Sequence, residues 1–416
     1  MGPMLIFDKS ALQSFSLDEA VWLDQFFMAN ITPLLYVETL ADITKATDKK
    51  GRSGEQIVSE LSRKTPINAS FPNIHHHSLL VQDLLGNTVQ MTNRPIVPAG
   101  QPKKDPDGKV GFHFDEFPEQ AAMQRWFDGE FSEIERYAAQ SWRDALSSID
   151  FDTVIGWVKN TVPQGTRFST MADVKQFTDK FVEQSGAAIL EFALQLLGVS
   201  KVARPPIWAR YKHLGEPSIA KFAPYAAYVL KVEMFFYLCL DRSFISKDRP
   251  SNKADIAYLY YLPFCSAFVS GDNLHARTAE LFMEHGQKFV SATALKAALK
   301  EFDTHYSQFA NEIEKVGIMR YAGYPPAGLK NAATDLWDEF CIPDWREVDE
   351  KRKADSDGMP SDPELGKKLS ERHEKSVPTT PPIDPDSVDF VTISRKHSIR
   401  KGKWRILPPE LEKESS

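Results

Sequence analysis

Short apolar runs alternate with stretches of helical periodicity along the chain, which is the pattern of an α/β protein. Residues 4–7 (MLIF) and 267–270 (AFVS) are two such runs, each with the length and composition of a buried parallel strand. Asp8 ends the first run, and Gly271 and Asp272 end the second. Ligands bind at the carboxyl ends of strands in α/β sheets, so Asp8 and Asp272 are predicted to lie at a functional edge.

Two further acids fall in stretches that are predicted to be helical. Residues 254–262 have a helical period, and Asp255 opens that helix. Residues 31–43 contain a second helix, and Glu38 is predicted near its start. Ser16 and Glu19 have the spacing of a capping box, which predicts the start of another helix.

The two halves of this pattern are separated by a long stretch without any matching acidic motif. Residues 46–210 are therefore predicted to form a mostly helical insertion, and residues 1–45 and 211–345 a discontinuous core. Residues 346–387 are charged and then proline-rich, with almost no large apolar side chain, which predicts a flexible linker. Residues 388–416 form a basic C-terminal extension that begins with an apolar, strand-like run at 388–393.

The length, charge and cysteine content of the chain limit which classes of protein it can belong to. A chain of 416 residues is long enough for two or three domains, and 42% hydrophobic residues suffice for a sizeable core. The net charge of −7 is not that of a nucleic-acid coat protein, although a local basic patch stays compatible with it. Three scattered cysteines predict reduced thiols and a cytoplasmic location. The most apolar run, 225–240, contains Lys231 and Glu233, which favours a buried helix over a membrane span.

Four carboxylates at these positions indicate a divalent-metal site, because Mg²⁺ and Mn²⁺ prefer oxygen ligands. FDKSAL at the first strand, Glu38 within LLYVETLADI, and Asp255 followed by AFVSGDN resemble the PIN-like nuclease family in their order. The matching segments cover residues 4–45 and about 218–285, under a third of the chain.

The resemblance implies an α/β fold with a PIN-like, three-layer core, in which helices flank a central parallel sheet. It implies that Asp8, Glu38, Asp255 and Asp272 hold one or two Mg²⁺ or Mn²⁺ ions and hydrolyse phosphodiester bonds, with RNA favoured over DNA. The chain departs from the family beside Asp272, where a further acid or hydroxyl residue is common. The site could therefore have three carboxylates rather than four.

Four other residues are predicted to contact the substrate: Ser10, Arg249, Lys253 and Asn273. The Ser10 hydroxyl also suits a role in orienting Asp8. Arg249 and Lys253 either steer phosphate or pair with acids. The partners expected are nucleic acid and no membrane, and a second copy of the chain or a regulatory protein is left open.

Each acid also has a purely structural explanation. Asp8 could cap a helix, Asp255 could favour a helix dipole, Asp272 could belong to a turn, and Glu38 could be a surface residue. Two other functions stay open. One is a catalytically inactive PIN-like module that binds nucleic acid or a protein partner. The other is a phosphatase of the haloacid-dehalogenase type, which requires an aspartate where this chain has Ser10.

Two clusters outside the core allow more than one interpretation. A run of cations free of acids surrounds Trp404 and could grip a phosphate backbone and stack a base; the cations are Arg395, Lys396, Arg400, Lys401, Lys403 and Arg405. A solvated tail, or one that packs on a partner subunit, explains it equally well. The three histidines at 75–77 diverge in any regular element, which favours a loop or helix-cap role over metal binding.

Overall fold

The central sheet of the computed structural model is assembled from short strands whose side chains are buried on both faces. The structure describes residues 2–48, 51–98, 100–348, 375–380, 388–396 and 398–409. The strands are β1 Met4–Phe7, β2 Met28–Ile31, β3 Ser70–Pro72, β4 Gln101–Lys104, β5 Val110–Phe114, β6 Ala267–Ser270, β7 Lys288–Ser291, β8 Val377–Pro378, β9 Phe390–Ile393, β10 Arg400–Lys401 and β11 Trp404–Arg405. Both strands that were predicted beside the acids, β1 and β6, are confirmed.

Helices cover most of the remaining described residues. They are α1 Lys9–Ser14, α2 Leu17–Phe26, α3 Pro33–Leu40, α4 Gly54–Lys64, α5 His76–Leu85, α6 Pro118–Phe127, α7 Glu133–Ser147, α8 Phe151–Lys159, α9 Met171–Val182, α10 Ala187–Leu196, α11 Arg204–His213, α12 Ile219–Phe222, α13 Pro224–Asp241, α14 Asn252–Ala257, α15 Asn273–Phe282, α16 Ala292–Ser307, α17 Ala310–Val316, α18 Ile318–Tyr321 and α19 Ala332–Phe340. Short 3-10 helices follow α3 (Ala41–Thr44) and α14 (Tyr258–Phe264). The predicted capping box of Ser16 and Glu19 is confirmed at the start of α2.

The main sheet has the strand order β3-β2-β1-β6-β7, and all of its neighbouring strands are parallel. Strands β1 and β6 pair through Leu5 with Ala267 and Phe7 with Val269. Strands β2 and β3 lie on one side of β1, and β6 and β7, which come later in the chain, lie on the other side. The order therefore reverses between β1 and β6, and ligands bind outside the carboxyl ends of strands at such a point.

Helices cover both faces of the sheet, which gives an α/β fold of three layers. Alternate residues of β1 enter different hydrophobic clusters: Ile6 lies in one cluster and Leu5 and Phe7 in the other, as the two-residue period of a strand requires. The first cluster is centred on the buried helix α13, and the second includes Trp22 of α2 and Phe302 of α16. Within the described ranges, none of the helices is both long enough and apolar enough to cross a membrane.

The predicted boundary between core and insertion at residue 46 is wrong. Strand β3, at residues 70–72, pairs with β2 and forms one edge of the main sheet. Helices from 151–211 also bury Phe151, Leu190 and Tyr211 in the cluster that surrounds α13. The sequence pattern did not reveal β3, because SFP is a three-residue edge strand that contains proline rather than an apolar run.

A second sheet joins the middle of the chain to its C-terminal part. Its order is β8-β4-β5-β9, and β5 and β9 pair in parallel from Gly111 with Phe390 to Phe114 with Ile393. The predicted strand at 388–393 is confirmed by β9. Most of the predicted linker at 346–387 lies outside the described residues, and its described residues 375–380 contribute β8.

Trp404 is part of the core and does not form an exposed stacking surface. Its side chain is 2% exposed, lies edge-on against Trp22 with ring centroids 5.0 Å apart, and donates a hydrogen bond of 2.8 Å to Asp303. The prediction that Trp404 stacks a base is therefore wrong in this structure.

The cations around Trp404 are engaged by the rest of the protein. Lys401 is buried against Asp24 at 3.4 Å and donates to the Thr65 carbonyl at 3.1 Å. The other ion pairs are Arg400 and Arg405 with Glu314, Lys403 with Asp303, and Lys396 with Glu116. Arg395 donates to backbone carbonyls of residues 67–70. These contacts fasten the C-terminal segment to the fold, which the alternative of a freely solvated tail does not describe.

We expect Trp404→Ala to lower the free energy of unfolding by about 3–5 kcal/mol, because it removes a fully buried aromatic side chain. Denaturant unfolding followed by tryptophan fluorescence and circular dichroism measures this change. Trp157→Ala, at a position that is 43% exposed, is the matched control and should cost much less. Equal costs for the two variants would contradict the burial of the C-terminal segment.

Glu135 anchors α7 to α6. Burial alone would raise the pKa of Glu135, but hydrogen bonds from the Arg125 guanidinium, the Ser132 N–H and the Trp126 indole lower it to about 2. Because the folded-state pKa is lowered, this stabilisation is present above the ordinary value of 4.5 and is lost as the pH falls toward 2.

Glu135→Gln should therefore destabilise the protein by about 1.5–3 kcal/mol at neutral pH, the range for hydrogen bonds to a charged group. The difference from wild type should shrink as the pH falls below 4.5. Chemical denaturation at several pH values measures it, with the exposed Glu133→Gln on the same helix as control. A loss that does not change with pH would contradict the assigned role of the carboxylate.

Candidate active site

Asp8 lies at the junction of β1 and α1, where the strand order reverses. Its N–H continues the strand ladder to the Val269 carbonyl at 3.2 Å, and its carboxylate caps α1 by accepting from the Ala11 N–H at 2.9 Å. The side chain is buried, with 4% exposure of the residue. The helix-cap explanation of Asp8 is thus correct, and the same residue also occupies the predicted functional edge.

Two serine hydroxyls hold the Asp8 carboxylate. Ser10 Oγ lies 2.9 and 2.7 Å from its two oxygens, and Ser270 Oγ lies 2.7 Å from Oδ2. Ser10 Oγ also accepts from the Gly271 N–H at 3.0 Å, which links α1 to the end of β6. These contacts agree with the expected role of Ser10 in orienting Asp8, and substrate binding by Ser10 stays a prediction.

His275, on the buried face of α15, connects Asp8 with Asp255 and was missed by the sequence analysis. Its side chain has 0% exposure, its Nε2 lies 2.6 Å from the backbone carbonyl of Asp255, and its Nδ1 lies 2.7 Å from Ser270 Oγ and 3.4 Å from Asp8 Oδ2. The available signal was weak: a single histidine near Leu274 and Thr278 has the pattern of an ordinary core residue.

The hydrogen bonds in this network are compatible with a cationic His275. The Asp255 carbonyl can only accept, so Nε2 carries a proton. Ser270 has one hydroxyl proton but lies 2.7 Å from both Asp8 Oδ2 and His275 Nδ1. If that proton goes to the carboxylate, Nδ1 must donate to Ser270, and the ring carries two protons. In agreement, burial alone would lower the pKa of His275, but its hydrogen bond to Asp8 and the Asp8 charge raise it.

The same contacts keep Asp8 ionised. Burial alone would raise the pKa of Asp8, but the hydrogen bond and charge of His275, the Ala11 N–H and the Ser10 hydroxyl lower it overall. The lowered pKa of Asp8 and the raised pKa of His275 both favour a buried ion pair, and serine hydroxyls satisfy the remaining lone pairs of the carboxylate, the condition under which such pairs are tolerated.

Asp255 has the opposite electrostatic environment. It lies in the first turn of α14, and burial raises its pKa to about 7; the charge of His275 opposes this shift, and the charges of Glu38, Asp272 and Asp8 add to it. Within the described residues, no hydrogen-bond donor contacts its carboxylate. The mutual effect of the four acids shows that the structure brings all four predicted residues into one electrostatic cluster.

Glu38 lies at the sixth position of the eight-residue helix α3, so the prediction that it is near the helix start is wrong. The helix begins earlier because Thr32 caps it and Pro33 occupies its first position. Glu38 accepts a hydrogen bond of 2.5 Å from the Tyr258 hydroxyl, which ties α3 to the segment after α14. Burial raises the pKa of Glu38, against the effects of Lys9 and Tyr258.

Asp272 caps α15 by accepting from the Leu274 N–H at 2.6 Å, and its own N–H donates to Ser270 Oγ at 2.9 Å. Its side chain is half-buried at the same edge as Asp8. Asn273 is the exposed first residue of α15. The turn-like explanation of Asp272 is therefore correct in part, since the residue ends β6 and starts the next helix.

The two cations that were predicted to steer phosphate have different surroundings. Lys253 Nζ lies 2.5 Å from both carboxylate oxygens of Glu233 and over the rings of Phe236 and Tyr237. Lys253 thus pairs with an acid, which was the alternative to steering phosphate. Arg249 is exposed in the loop before α14.

The three adjacent histidines form a helix start. His75 caps α5 by accepting from the His77 N–H at 3.2 Å, and the His76 ring lies 4.6 Å from that of Tyr260. The helix-cap interpretation is confirmed.

The donor set fits a hard divalent cation in its chemistry, since Asp8, Glu38, Asp255 and Asp272 supply only oxygen ligands and three of them are partly accessible to solvent. The arrangement is not a completed metal site: in the parts of the chain that the structure describes, no three His, Cys, Asp or Glu side chains form a group that could hold a metal ion. Both Asp8 oxygens instead accept serine hydroxyls.

Asp255→Asn should make the metal-free protein more stable at about pH 8 but not at about pH 4. The folded protein holds the Asp255 proton more tightly than the unfolded chain, because the pKa rises from 3.8 to about 7, so ionisation over that interval destabilises the fold. Thermal unfolding at the two pH values, with chelator present, measures the difference. A variant less stable than wild type at the higher pH would show that ionisation of Asp255 does not destabilise the fold.

In the described residues, Asp8 and Asp272 follow the carboxyl ends of two neighbouring parallel strands, and Glu38 and Asp255 interact with them from α3 and α14. No family model, curated protein or solved structure matches this chain.

Proposed function

We propose that the protein is a metal-dependent nuclease of the PIN-like kind that hydrolyses phosphodiester bonds, with RNA favoured over DNA. The observation that carries the proposal is the placement of four interacting carboxylates at the carboxyl edge of a parallel sheet, where the strand order reverses. Raised carboxyl pKa values caused by burial and like charges are typical of functional sites. Their order along the chain is that of the PIN-like family.

Asp8, Glu38, Asp255 and Asp272 would hold Mg²⁺ or Mn²⁺. A divalent cation bound there would neutralise charge on a substrate phosphate and lower the pKa of a bound water. The like charges that raise the pKa of Asp255 are those that a cation would relieve.

The chain's own groups have separate tasks in this proposal. Asp8 stays ionised because Ser10, Ser270 and His275 stabilise its charge. The pKa of Asp255 is raised to about 7 in the metal-free protein, and a cation bound beside it would favour the ionised carboxylate that a metal ligand requires. Tyr258 holds Glu38 against the segment that carries Asp255.

A second candidate is a catalytically inactive PIN-like module that binds nucleic acid or a protein partner. It is favoured by the contacts of Asp8, whose oxygens accept serine hydroxyls and whose charge is balanced by His275. A phosphatase of the haloacid-dehalogenase type is disfavoured, because Ser10 stands where that mechanism requires an acid and its hydroxyl is bonded to Asp8.

Asp8→Asn and Asp255→Asn should each lower Mn²⁺-dependent cleavage of single-stranded RNA by about 100-fold or more, since even changes outside the ligand shell cost 10–100-fold. Single-turnover cleavage of matched RNA and DNA oligonucleotides, with Mn²⁺ or with chelator, measures it. Glu280→Gln, at an exposed position on α15, is the control and should cleave like wild type.

The two candidate functions, nuclease and inactive module, predict different results in this experiment. Cleavage by wild type that both aspartate variants lose supports the nuclease. Binding of RNA without cleavage by wild type at any Mn²⁺ concentration supports the inactive module, and equal cleavage by all variants refutes the assigned site.

A further inference from the structure

We propose that His275 is a positioning residue that fixes Asp255 relative to Asp8 through its Nε2–H. The inference rests on the proposed function for its effect on cleavage. Its structural part, a clamp between α15 and α14, can be tested in the metal-free protein.

The clamp joins α14 to α15, which are separated along the chain by the 3-10 helix Tyr258–Phe264 and strand β6. His275 Nε2 donates to the Asp255 carbonyl at 2.6 Å, while Nδ1 faces Ser270 Oγ at 2.7 Å, beside Asp8. The two imidazole nitrogens therefore contact the backbone carbonyl of Asp255 and the Ser270 hydroxyl that is bonded to Asp8. One ring thus connects the end of β1 with α14.

The orientation of the ring is fixed by its neighbours. Its edge-to-face contacts are with Phe268 of β6, at a centroid distance of 4.9 Å, and with Tyr258, at 5.7 Å. Because the ring has no exposed surface, a change of rotamer would displace packed aromatic groups. The position of Nε2 is thus determined by the core rather than by solvent.

Asp255 lies in the short helix α14, which is held by tertiary contacts such as the Lys253–Glu233 pair and the His275 contact. The helix has six residues, and Ser251 at its N-cap makes no side-chain hydrogen bond to it. Helices of this length are unstable without tertiary contacts. Apart from the His275 contact, the Asp255 carbonyl accepts the Tyr258 N–H at the helix end. Loss of the imidazole donor should therefore loosen α14 and the carboxylate that it carries.

The two nitrogens can be separated by substitution. The amide nitrogen of glutamine comes near the position of Nε2, and that of asparagine near the position of Nδ1. His275→Gln can keep the donor to the Asp255 carbonyl, and His275→Asn can keep only the donor toward Ser270. Ser270→Ala is the converse change, since it removes the partner of Nδ1 and leaves the Asp255 contact intact.

The first measurement is amide hydrogen exchange of residues 252–260 in the chelator-treated, full-length protein. His275→Asn should speed exchange there by about 10-fold or more, the equivalent of one hydrogen bond lost. His275→Gln and Ser270→Ala should stay close to wild type in this segment. Faster exchange in Ser270→Ala that equals that of His275→Asn, or unchanged exchange in His275→Asn, would overturn the clamp.

The second measurement is Mn²⁺-dependent cleavage at saturating RNA together with the Mn²⁺ concentration for half-maximal rate. His275→Asn should lower the rate or the apparent Mn²⁺ affinity by about 10–100-fold, and His275→Gln should restore most of it. Equal losses in both variants would overturn the positioning role, since a merely structural defect does not distinguish the two amides. Absence of cleavage in wild type would refute the proposed function, and the exchange data would then still support or overturn the clamp.

Discussion

A buried carboxylate between two parallel strands is the constraint on which the centre of this molecule depends. An uncompensated carboxylate inside a protein is costly, and Asp8 is tolerated only because donors from three different elements converge on it. Ser10 and the Ala11 N–H come from α1, Ser270 from β6, and His275 from α15. The charge thus specifies how the two halves of the chain meet.

The central strands could be predicted because burial on both faces leaves an unbroken apolar run, and the acids that follow were placed correctly at the carboxyl edge. The edge strand β3 could not, because an edge strand needs neither apolar faces nor length. His275 stayed hidden for a different reason: periodicity indicates which side chains face inward, but not that one of them meets a charge. Glu38 was found but misplaced, because Thr32 and Pro33 start the helix earlier than the apolar pattern does.

The roles of the cations could not be predicted from the sequence. Lys253 and the basic residues around Trp404 were compatible with phosphate binding, with solvation and with internal ion pairs, and only their neighbours in space decide among these. Glu233 and Asp24 are 20 and 377 residues away from Lys253 and Lys401. In contrast, the cations closest to the acidic cluster, His275 and Lys9, lie next to acids that motif analysis had found. His275 lowers the pKa of Asp8 and Lys9 lowers that of Glu38, whereas burial raises the pKa of Asp255.

The packing of Trp404 on Trp22 has a consequence for the order of folding. The backbone of Lys403 donates to Asp18 across a separation of 385 residues, so this contact closes a long loop. Closing such a loop is entropically costly. During synthesis, the part of the Trp22 indole that Trp404 covers therefore stays exposed until residue 404 has been made. Transiently exposed hydrophobic surface of this kind favours association between incomplete chains.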